Sequence, residues 1–211
     1  MKTVTASQAR QRGRPPGMRS IQRSRLLQAA GELLAEPGGG DFSLRRVTQR
    51  AGVTAALANY YFVNRDGLLA ALVQERAAPR IDDLISATRV RATQPVTALT
   101  FLLQRMTSLA ATDALLRSCL LLPAGRPLRD RLRALTGELL QRAQAQGQLR
   151  ADLPVDYLSD TLLGISLFPF LESAGNTDNA AERAAALTLH HIALLQDGIV
   201  RVHRPRQESG S

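Results

Sequence analysis

Side chains that can grip a polyanion and read nucleic-acid bases are concentrated in residues 42–65. The polar and aromatic members are Ser43, Arg45, Thr54, Asn59, Tyr60, Tyr61 and Arg65. Hydroxyl groups and guanidinium groups bond to phosphate oxygens, and an asparagine amide can pair with an adenine edge. Ala55 and Ala56 lie between them, and such small side chains let a backbone approach a groove closely. These residue types suggest non-covalent recognition of a nucleic acid.

The sequence gives no sign of an enzyme. It contains no glycine-rich phosphate loop, no Ser/His/Asp arrangement and no carboxylate pair at a useful spacing. Asp152, Asp156 and Asp160 recur every four residues, but no histidine accompanies them, so they predict a solvated helix start rather than a metal site. We therefore expect no catalysis, no metal and no cofactor.

Residues 42–62 read as a short helix, a tight turn and a second short helix. Ser43 and Thr54 are residue types that cap helix N-termini, and Gly52 suits a turn that needs a backbone without a Cβ atom. This is the layout of a helix-turn-helix, which places its second helix in the major groove of DNA. Phe42 and Phe62 flank the motif and are assigned to its core.

The composition predicts an all-α protein with a basic N-terminal third. Of the 211 residues, 45% are hydrophobic and only 4% aromatic, a Leu- and Ala-rich mixture that favours helix-on-helix packing. The net charge is +9, and residues 1–76 hold twelve basic and five acidic side chains against fifteen and thirteen in residues 77–211. The positive excess therefore coincides with the helix-turn-helix, as expected for a segment that meets polyphosphate.

Cysteine usage and hydropathy predict a cytoplasmic protein. Cys119 is the single cysteine, which excludes an internal disulfide and fits a reducing compartment. No run of eighteen or more apolar residues occurs, and the basic N-terminus is not followed by an apolar segment. We therefore expect neither export nor membrane insertion.

Four segments follow from charge, periodicity and chain breakers. We assign residues 1–19 to a disordered basic arm, 20–76 to the DNA-binding domain, 77–198 to a helical body and 199–211 to a flexible tail. The arm contains Arg-Gly-Arg-Pro at 12–15, which either enters a minor groove, as an AT-hook does, or is a solvated tail. Pro79, at the junction of head and body, marks either a hinge or a plain boundary.

The helix-turn-helix and its flanks resemble the N-terminal DNA-binding domain of the TetR/AcrR family of bacterial transcriptional regulators. The resemblance lies in Leu26-Leu27, Ala29-Ala30, Leu33-Leu34, Phe42-Ser43, Ala51 to Thr54, Asn59 to Phe62 and Asn64 to Leu69. It implies helices at 20–36 and 43–51, a recognition helix at 54–60 and a fourth helix from residue 64. Thr48 departs from the alanine usual in the second helix, and Asn59 stands where many members have tyrosine.

Chemistry and the resemblance together assign roles to the polar residues of this domain. Phosphate contacts are assigned to Ser43, Arg45, Thr54, Tyr61 and Arg65, and base contacts to Ala55, Ala56 and Asn59. Arg65 is expected to clamp the DNA backbone, and Ser43 to open a helix whose free amides bind a phosphate. Tyr60 faces either DNA or the core, and each tyrosine is as fit for packing as for contact.

The body is predicted to hold a small-molecule effector. Helices are expected at 80–92, 95–111, 113–122, 127–146, 155–171 and 179–195. The resemblance implies an inducer pocket among them, lined by Phe101, Arg105, Met106, Cys119 and Phe168, although each of these also suits core or surface. Arg105 and Arg117 either hold a ligand carboxylate or lie on the helix surface. Cys119 is either an electrophile sensor or an inert buried filler.

The last two helices carry more apolar surface than their own domain needs. We assign them to a two-fold, four-helix homodimer contact, with one of them being plain core as the alternative. The residues assigned to the contact are Leu158, Leu162, Ile165, Leu187, His191 and Leu195.

The expected function is transcriptional regulation. A homodimeric repressor that binds a palindromic double-stranded DNA operator, and that an unidentified small molecule releases, fits all these features. A transcriptional activator of the same fold and a non-specific architectural DNA-binding protein are the alternatives.

Overall fold

The computed structural model describes residues 16–36, 39–172, 182–183, 186–187 and 190. The helices are α1 (Pro16–Ala35), α2 (Leu44–Ala51), α3 (Ala55–Phe62), α4 (Arg65–Leu72), α5 (Ala78–Arg89), α6 (Pro95–Thr112), α7 (Ala114–Leu121), α8 (Arg126–Ala145) and α9 (Val155–Glu172). Short 3-10 turns at Gly39–Asp41 and Pro123–Gly125 and a π-helical turn at Val73–Ala77 join some of them. The predicted all-α fold, with an N-terminal helix-turn-helix and a helical C-terminal domain, is confirmed.

The first helix begins four residues before the predicted start at Ser20. Pro16 is its first residue, a position where proline is tolerated because the missing N–H would have no partner there. The predicted disordered arm therefore overlaps the helix at 16–19, and its remainder, like the predicted tail at 199–211, lies outside the described residues.

The head, formed by α1 to α4, is built around α1, which packs against α2, α3 and α4. Its core includes Leu26, Leu33, Val47 and Leu68, each with no exposed surface. The two phenylalanines assigned to the core are buried, with Phe42 2% and Phe62 4% exposed. Helices as short as α2 and α3 are not stable alone, so this packing holds them in place.

Local capping sets the limits of α2 and α3 as the sequence predicts. The Ser43 hydroxyl accepts a hydrogen bond from the Arg46 amide at 3.2 Å, and that of Thr54 accepts one from the Leu57 amide at 3.4 Å. Gly52 ends α2 in the left-handed region at φ 65°, which costs little without a Cβ atom.

A tight turn fixes the end of α3 to the start of α4. Val63 has φ 62° and ψ −52°, and the Asn64 amide donates to the Phe62 carbonyl at 2.6 Å across it. This is a γ-turn, a strained conformation for a β-branched residue. Asn64 caps α4 by accepting from the Gly67 amide at 2.8 Å. A Cβ atom on Gly67 would lie 2.1 Å from the Phe62 carbonyl oxygen, so only glycine fits there.

A π-helical turn joins α4 to α5 in one continuous helical run from residue 65 to residue 89. Within it the Ala78 amide donates to the Val73 carbonyl, five residues back. Pro79 explains the turn, because it has no N–H and its ring would collide with the Glu75 carbonyl in a regular α-helix. The position that the sequence marked as a hinge or a boundary is therefore a local bulge in an unbroken helix.

The body packs around α6, which contacts α5, α7, α8 and α9. Its fully or almost fully buried side chains include Leu99, Leu102, Met106, Leu116, Cys119, Leu132 and Leu139. Head and body meet where α1 packs against α7, and the Ser118 hydroxyl donates to the Leu34 carbonyl at 3.1 Å. None of the helices in the described part of the chain has the length and apolarity to cross a membrane.

Candidate nucleic-acid interface

The recognition helix α3 turns its polar and small side chains outward. Ala55, Ala56 and Asn59 are exposed, whereas Ala58 and Phe62 are buried. These exposed positions recur on one side of the helix because residues three or four apart share a face. The three residues assigned to bases therefore share a surface that an approaching duplex can reach.

Tyr60 points away from the core. Its side chain is 69% exposed, and its ring meets that of Tyr61 edge to face, with centroids 5.2 Å apart. Tyr61 is half-buried, and its ring lies 6.2 Å from that of Phe62. Of the two roles that the sequence left open for Tyr60, the structure favours the outward one, and Tyr61 combines packing with partial exposure.

The three arginines of α2 have different surroundings. Glu36, just after α1, accepts hydrogen bonds from Arg46 at 2.9 Å and from Arg50 at 2.5 Å. Arg45 is exposed and has no acidic partner within the described part of the chain. It is therefore the arginine of α2 whose charge is free to meet a phosphate. The sequence did not reveal the Glu36 contacts, because they join residues on different helices.

The unusual Thr48 fits inside the motif without an unsatisfied group. It is 5% exposed, and its hydroxyl donates to the Arg45 carbonyl at 2.8 Å. A buried hydroxyl is costly only when it lacks a hydrogen-bond partner, so this departure from alanine leaves the fold of α2 intact.

Arg65 is held inside the head. Its Nε donates to the Phe42 carbonyl at 2.9 Å, and its guanidinium lies 5.2 Å from the centroid of the Phe42 ring. The sequence predicted a clamp on the DNA backbone. The geometry makes Arg65 a tie between the start of α4 and the residue before the α2 cap, and the clamp on the DNA backbone stays a prediction.

An ion pair joins α1 to the π-helical turn. Both terminal nitrogens of Arg23 donate to the Glu75 carboxylate, one at 2.8 Å, and the guanidinium lies 5.3 Å from the centroid of the Phe62 ring. The hydrogen bonds raise the pKa of Arg23 and lower the pKa of Glu75. A lowered carboxyl pKa means that the pair stabilises the fold at neutral pH and loses this contribution as the pH falls through the folded-state value. No sequence signal links two residues 52 positions apart.

Comparison with known proteins agrees with this geometry. The pattern described as "Bacterial regulatory proteins, tetR family" matches residues 26–72, and that of the "Transcriptional regulator SbtR-like, C-terminal domain" matches residues 94–193. The chain belongs to the TetR family. Members of this family are transcription factors rather than enzymes, so the expectation that the protein is not an enzyme is confirmed.

The chain resembles TetR-family regulators in sequence over a short stretch and in fold over most of its length. The HTH-type transcriptional regulator BetI 1 of Chromohalobacter salexigens is 37% identical over 59 residues, which are 28% of this chain and 29% of that protein. The chain thus spans about three tenths of the length of that relative. A TetR regulator of Haloarcula marismortui shares the fold with a TM-score of 0.67 at 20% identity, covering 86% of this chain and 100% of the other. FadR of Bacillus subtilis, solved in complex with stearoyl-CoA, shares the fold with a TM-score of 0.64 at 18% identity, covering 83% of this chain and 98% of the other.

Among the described residues, the predicted effector residues Phe101 and Arg105 face one groove and Met106 another. Phe101 and Arg105 face a half-open groove of about 310 Å³ between α5 and α6. Met106 lines a different groove, of about 270 Å³, between α6, α8 and α9. Arg117 lines neither groove and donates to the Ala110 carbonyl at 2.6 Å. The side chain of Phe168 lies outside the described residues.

Cys119 is unsuited to electrophile sensing. Its side chain has no exposed surface, and burial raises the pKa of its thiol to about 12. The nucleophile of cysteine chemistry is the thiolate, which this environment disfavours. The alternative of an inert filler therefore fits the structure. No group of three or more His, Cys, Asp or Glu side chains that could hold a metal comes together in the described part of the chain.

We expect Cys119 of the folded protein to resist alkylation at pH 8. Mass spectrometry after brief exposure to iodoacetamide should show mostly unmodified native protein, whereas the same protein in denaturant should be modified at the rate of a free thiol. Equal rates in the two conditions would contradict the buried position of the thiol.

The residues assigned to a dimer contact divide between the inside and the surface of the chain. Leu158 and Leu162 are 7% and 4% exposed within the single chain, so they pack in its own body rather than toward a partner. Ile165 and Leu187 are half-buried, and His191 and Leu195 lie outside the described residues. The face of α9 that remains exposed carries Tyr157, Asp160 and Gly164.

Proposed function

We propose that the protein is a homodimeric repressor that binds a near-palindromic operator and leaves it when a small molecule binds the body. The observation that carries this proposal is the exposed face of α3, where Ala55, Ala56 and Asn59 stand clear of the head. Small side chains beside an amide suit close approach to base edges in the major groove. The caps at Ser43 and Thr54 keep their hydroxyl hydrogens free to donate to phosphates on either side of that groove.

A second copy of the chain is needed because one short helix reads too few bases. A two-fold dimer presents two recognition helices about 34–36 Å apart, one turn of the duplex, and so requires a palindromic site. The N-terminal part of α9 supports such a contact, since the aromatic side chain of Tyr157 is 68% exposed there.

The grooves of the body support binding of an effector with an apolar part and an anionic part. The groove between α6, α8 and α9 has an apolar wall that includes Met106, Leu163 and Leu167, and Arg129 and Arg133 lie at its polar side. Arg133 pairs with Asp160 at 2.8 Å, so a ligand anion would compete with that carboxylate. An effector releases DNA only if it binds the released conformation more tightly than the DNA-bound one.

Selection of bound fragments from a random DNA pool by the full chain tests the proposal. We expect enrichment of one inverted repeat and a complex that contains two protein chains, measured by sedimentation. Enrichment of a direct repeat or of no sequence, or binding as a single chain, would contradict it. Activation of a reporter gene by the bound protein would favour the activator alternative, and protection of all sequences alike would favour the architectural one.

Arg45 is expected to grip phosphate without reading sequence. Arg45→Ala should weaken binding to specific and to random DNA by similar factors. It should also lower the slope of log affinity against log salt by about 0.9 for each lost phosphate contact. Arg46→Ala is the matched control, because Arg46 already bonds to Glu36 and its loss should change the slope less. A salt titration followed by fluorescence anisotropy measures both slopes. Equal slopes for Arg45→Ala and the native protein would contradict the assignment.

A further inference from the structure

Arg23 touches two parts of the molecule at once, the π-helical turn and the end of the recognition helix. On one side it forms the two-point ion pair with Glu75 in the π-helical turn, and on the other its guanidinium lies 5.3 Å from the centroid of the Phe62 ring. Phe62 is the last residue of the recognition helix and is 4% exposed. One side chain of α1 therefore bridges the connection to the body and the end of the helix that faces DNA.

The position of Glu75 depends on the π-helical turn. The five-residue bond from the Ala78 amide to the Val73 carbonyl accommodates one extra residue in the turn. A change in the winding of this turn, short of the regular α-helix that Pro79 excludes, would rotate its side chains about the helix axis relative to α4. Such a rotation would carry the Glu75 carboxylate away from Arg23. The geometry of the ion pair is thus tied to the conformation of the turn.

The end of α3 has a second attachment to the same helical run. The Asn64 amide bonds to the Phe62 carbonyl, and Gly67 approaches that carbonyl closely. This attachment fixes where α3 ends, and the direction of α3 depends on how its buried residues, Ala58 and the Phe62 ring, pack against the neighbouring helices. Arg23 covers that ring, so it is placed to influence this direction.

We propose that Arg23 is a positioning residue for the recognition helix, and that it transmits the conformation of the π-helical turn to α3 through its paired contacts with Glu75 and Phe62. In the proposed regulator, the paired state orients α3 for DNA, and an effector that reshapes the turn breaks the pair. The inference rests on the proposed function for its consequence at the operator, but the coupling itself is a property of the single chain.

The ion pair between Arg23 and Glu75 is weak enough to break when the conformation changes. Its side chains are 35% and 41% exposed, and ion pairs of such exposure change local equilibria by about two- to fivefold. A coupling of this size shifts a population of conformers without being required for folding.

Hydrogen exchange of the full chain, without DNA, tests the coupling. Glu75→Gln removes the charge from a side chain that lies away from α3, and yet we expect amides at 55–63 to exchange about two- to fivefold faster, together with those at 73–78. Glu138→Gln is the matched control, because it is the same substitution in an ion pair of similar exposure, with Arg142 at 2.6 Å on α8, and it should leave both segments unchanged. Arg23→Lys, which keeps a charge near Phe62, should protect 55–63 better than Arg23→Gln does.

Unchanged exchange at 55–63 in Glu75→Gln would overturn the inference, as would faster exchange throughout the chain, which would show a loss of general stability. A second readout uses operators whose half-site separation varies by single base pairs. Glu75→Gln should change which separation binds best, whereas a purely structural defect would weaken all separations alike. If the amides of α3 exchange faster in Glu75→Gln but the DNA selection enriches no operator, the proposed function fails and the coupling between Glu75 and α3 stands. If α3 does not respond, the coupling fails whatever DNA the protein binds.

Discussion

Replacement of Gly67 by alanine is expected to abolish DNA binding and to destabilise the head. The added Cβ atom would lie 2.1 Å from the Phe62 carbonyl oxygen, far inside any real contact, and that oxygen belongs to the backbone and cannot rotate away. Either α4 must move outward or the end of α3 must shift. We expect a loss of about 3 kcal/mol in the free energy of unfolding, at the upper end of the usual cost of overpacking. For a chain of this size that lowers the melting temperature by about 6–12 °C.

Gly31→Ala is the control for this substitution. Gly31 lies in α1 of the same head, and the atoms nearest to its added Cβ atom would be side-chain atoms of Leu115 and Leu72, at 3.5 to 3.7 Å. These are ordinary contacts, and alanine favours a helix interior over glycine by about 1 kcal/mol. Thermal unfolding followed by circular dichroism should therefore separate the two variants. A Gly67→Ala protein with native stability and native DNA affinity would show that the α3–α4 turn is not held as described.

Phe42→Ala is expected to cause the largest loss of stability among single changes in the head. The Phe42 ring is 2% exposed, its carbonyl accepts the Arg65 hydrogen bond, and its face lies under the Arg65 guanidinium. Truncation of a buried phenylalanine costs about 3–5 kcal/mol, because a cavity remains. Here it also removes the ring against which Arg65 packs. Denaturant unfolding of the two proteins at one temperature measures the difference.

Tyr60→Ala is the control, because it removes an aromatic ring of similar size from the same head. Tyr60 is 69% exposed, so the unfolding midpoint should change little, while affinity for DNA should fall. Phe42→Ala is thus expected to lower the free energy of unfolding, whereas Tyr60→Ala is expected to lower DNA affinity while the fold is retained. A large loss of stability in Tyr60→Ala would show that its ring belongs to the core.

The elements of the head could be predicted because their limits are set locally. Ser43, Thr54 and Asn64 each cap the helix that follows, and Gly52 ends α2 in the conformation that glycine favours. These signals lie within four residues of the structure they determine, so a sequence displays them directly. The family resemblance added the order of the helices and the identity of α3 as the recognition helix.

Contacts between distant residues could not be predicted in the same way. Glu36 binds two arginines of α2, and Glu75 binds Arg23, only because the fold brings their helices together. The tie from Arg65 to Phe42 has the same origin. An exposed arginine in a basic segment looks free in the sequence, and its acidic partner becomes visible only in the structure.

The body was predicted in outline but not in its sites. Helix lengths followed from apolar periodicity and from chain breakers such as Pro95. The direction of each side chain did not follow from these signals. Phe101 and Met106 are five residues apart on α6 and face different grooves. Leu158 and Leu162 likewise read as surplus apolar surface, but they complete the core of their own chain.

The most direct test of sequence-specific DNA recognition by α3 is the ratio of affinities for the selected operator and for random DNA, measured at one salt concentration for the native protein and for Asn59→Ala. The exposed amide of Asn59 is expected to bond to a base edge, so its loss should lower this ratio about 5- to 160-fold, since a good base contact contributes about 1–3 kcal/mol of discrimination. Equal losses on both DNAs would contradict a reading role for the exposed face of α3.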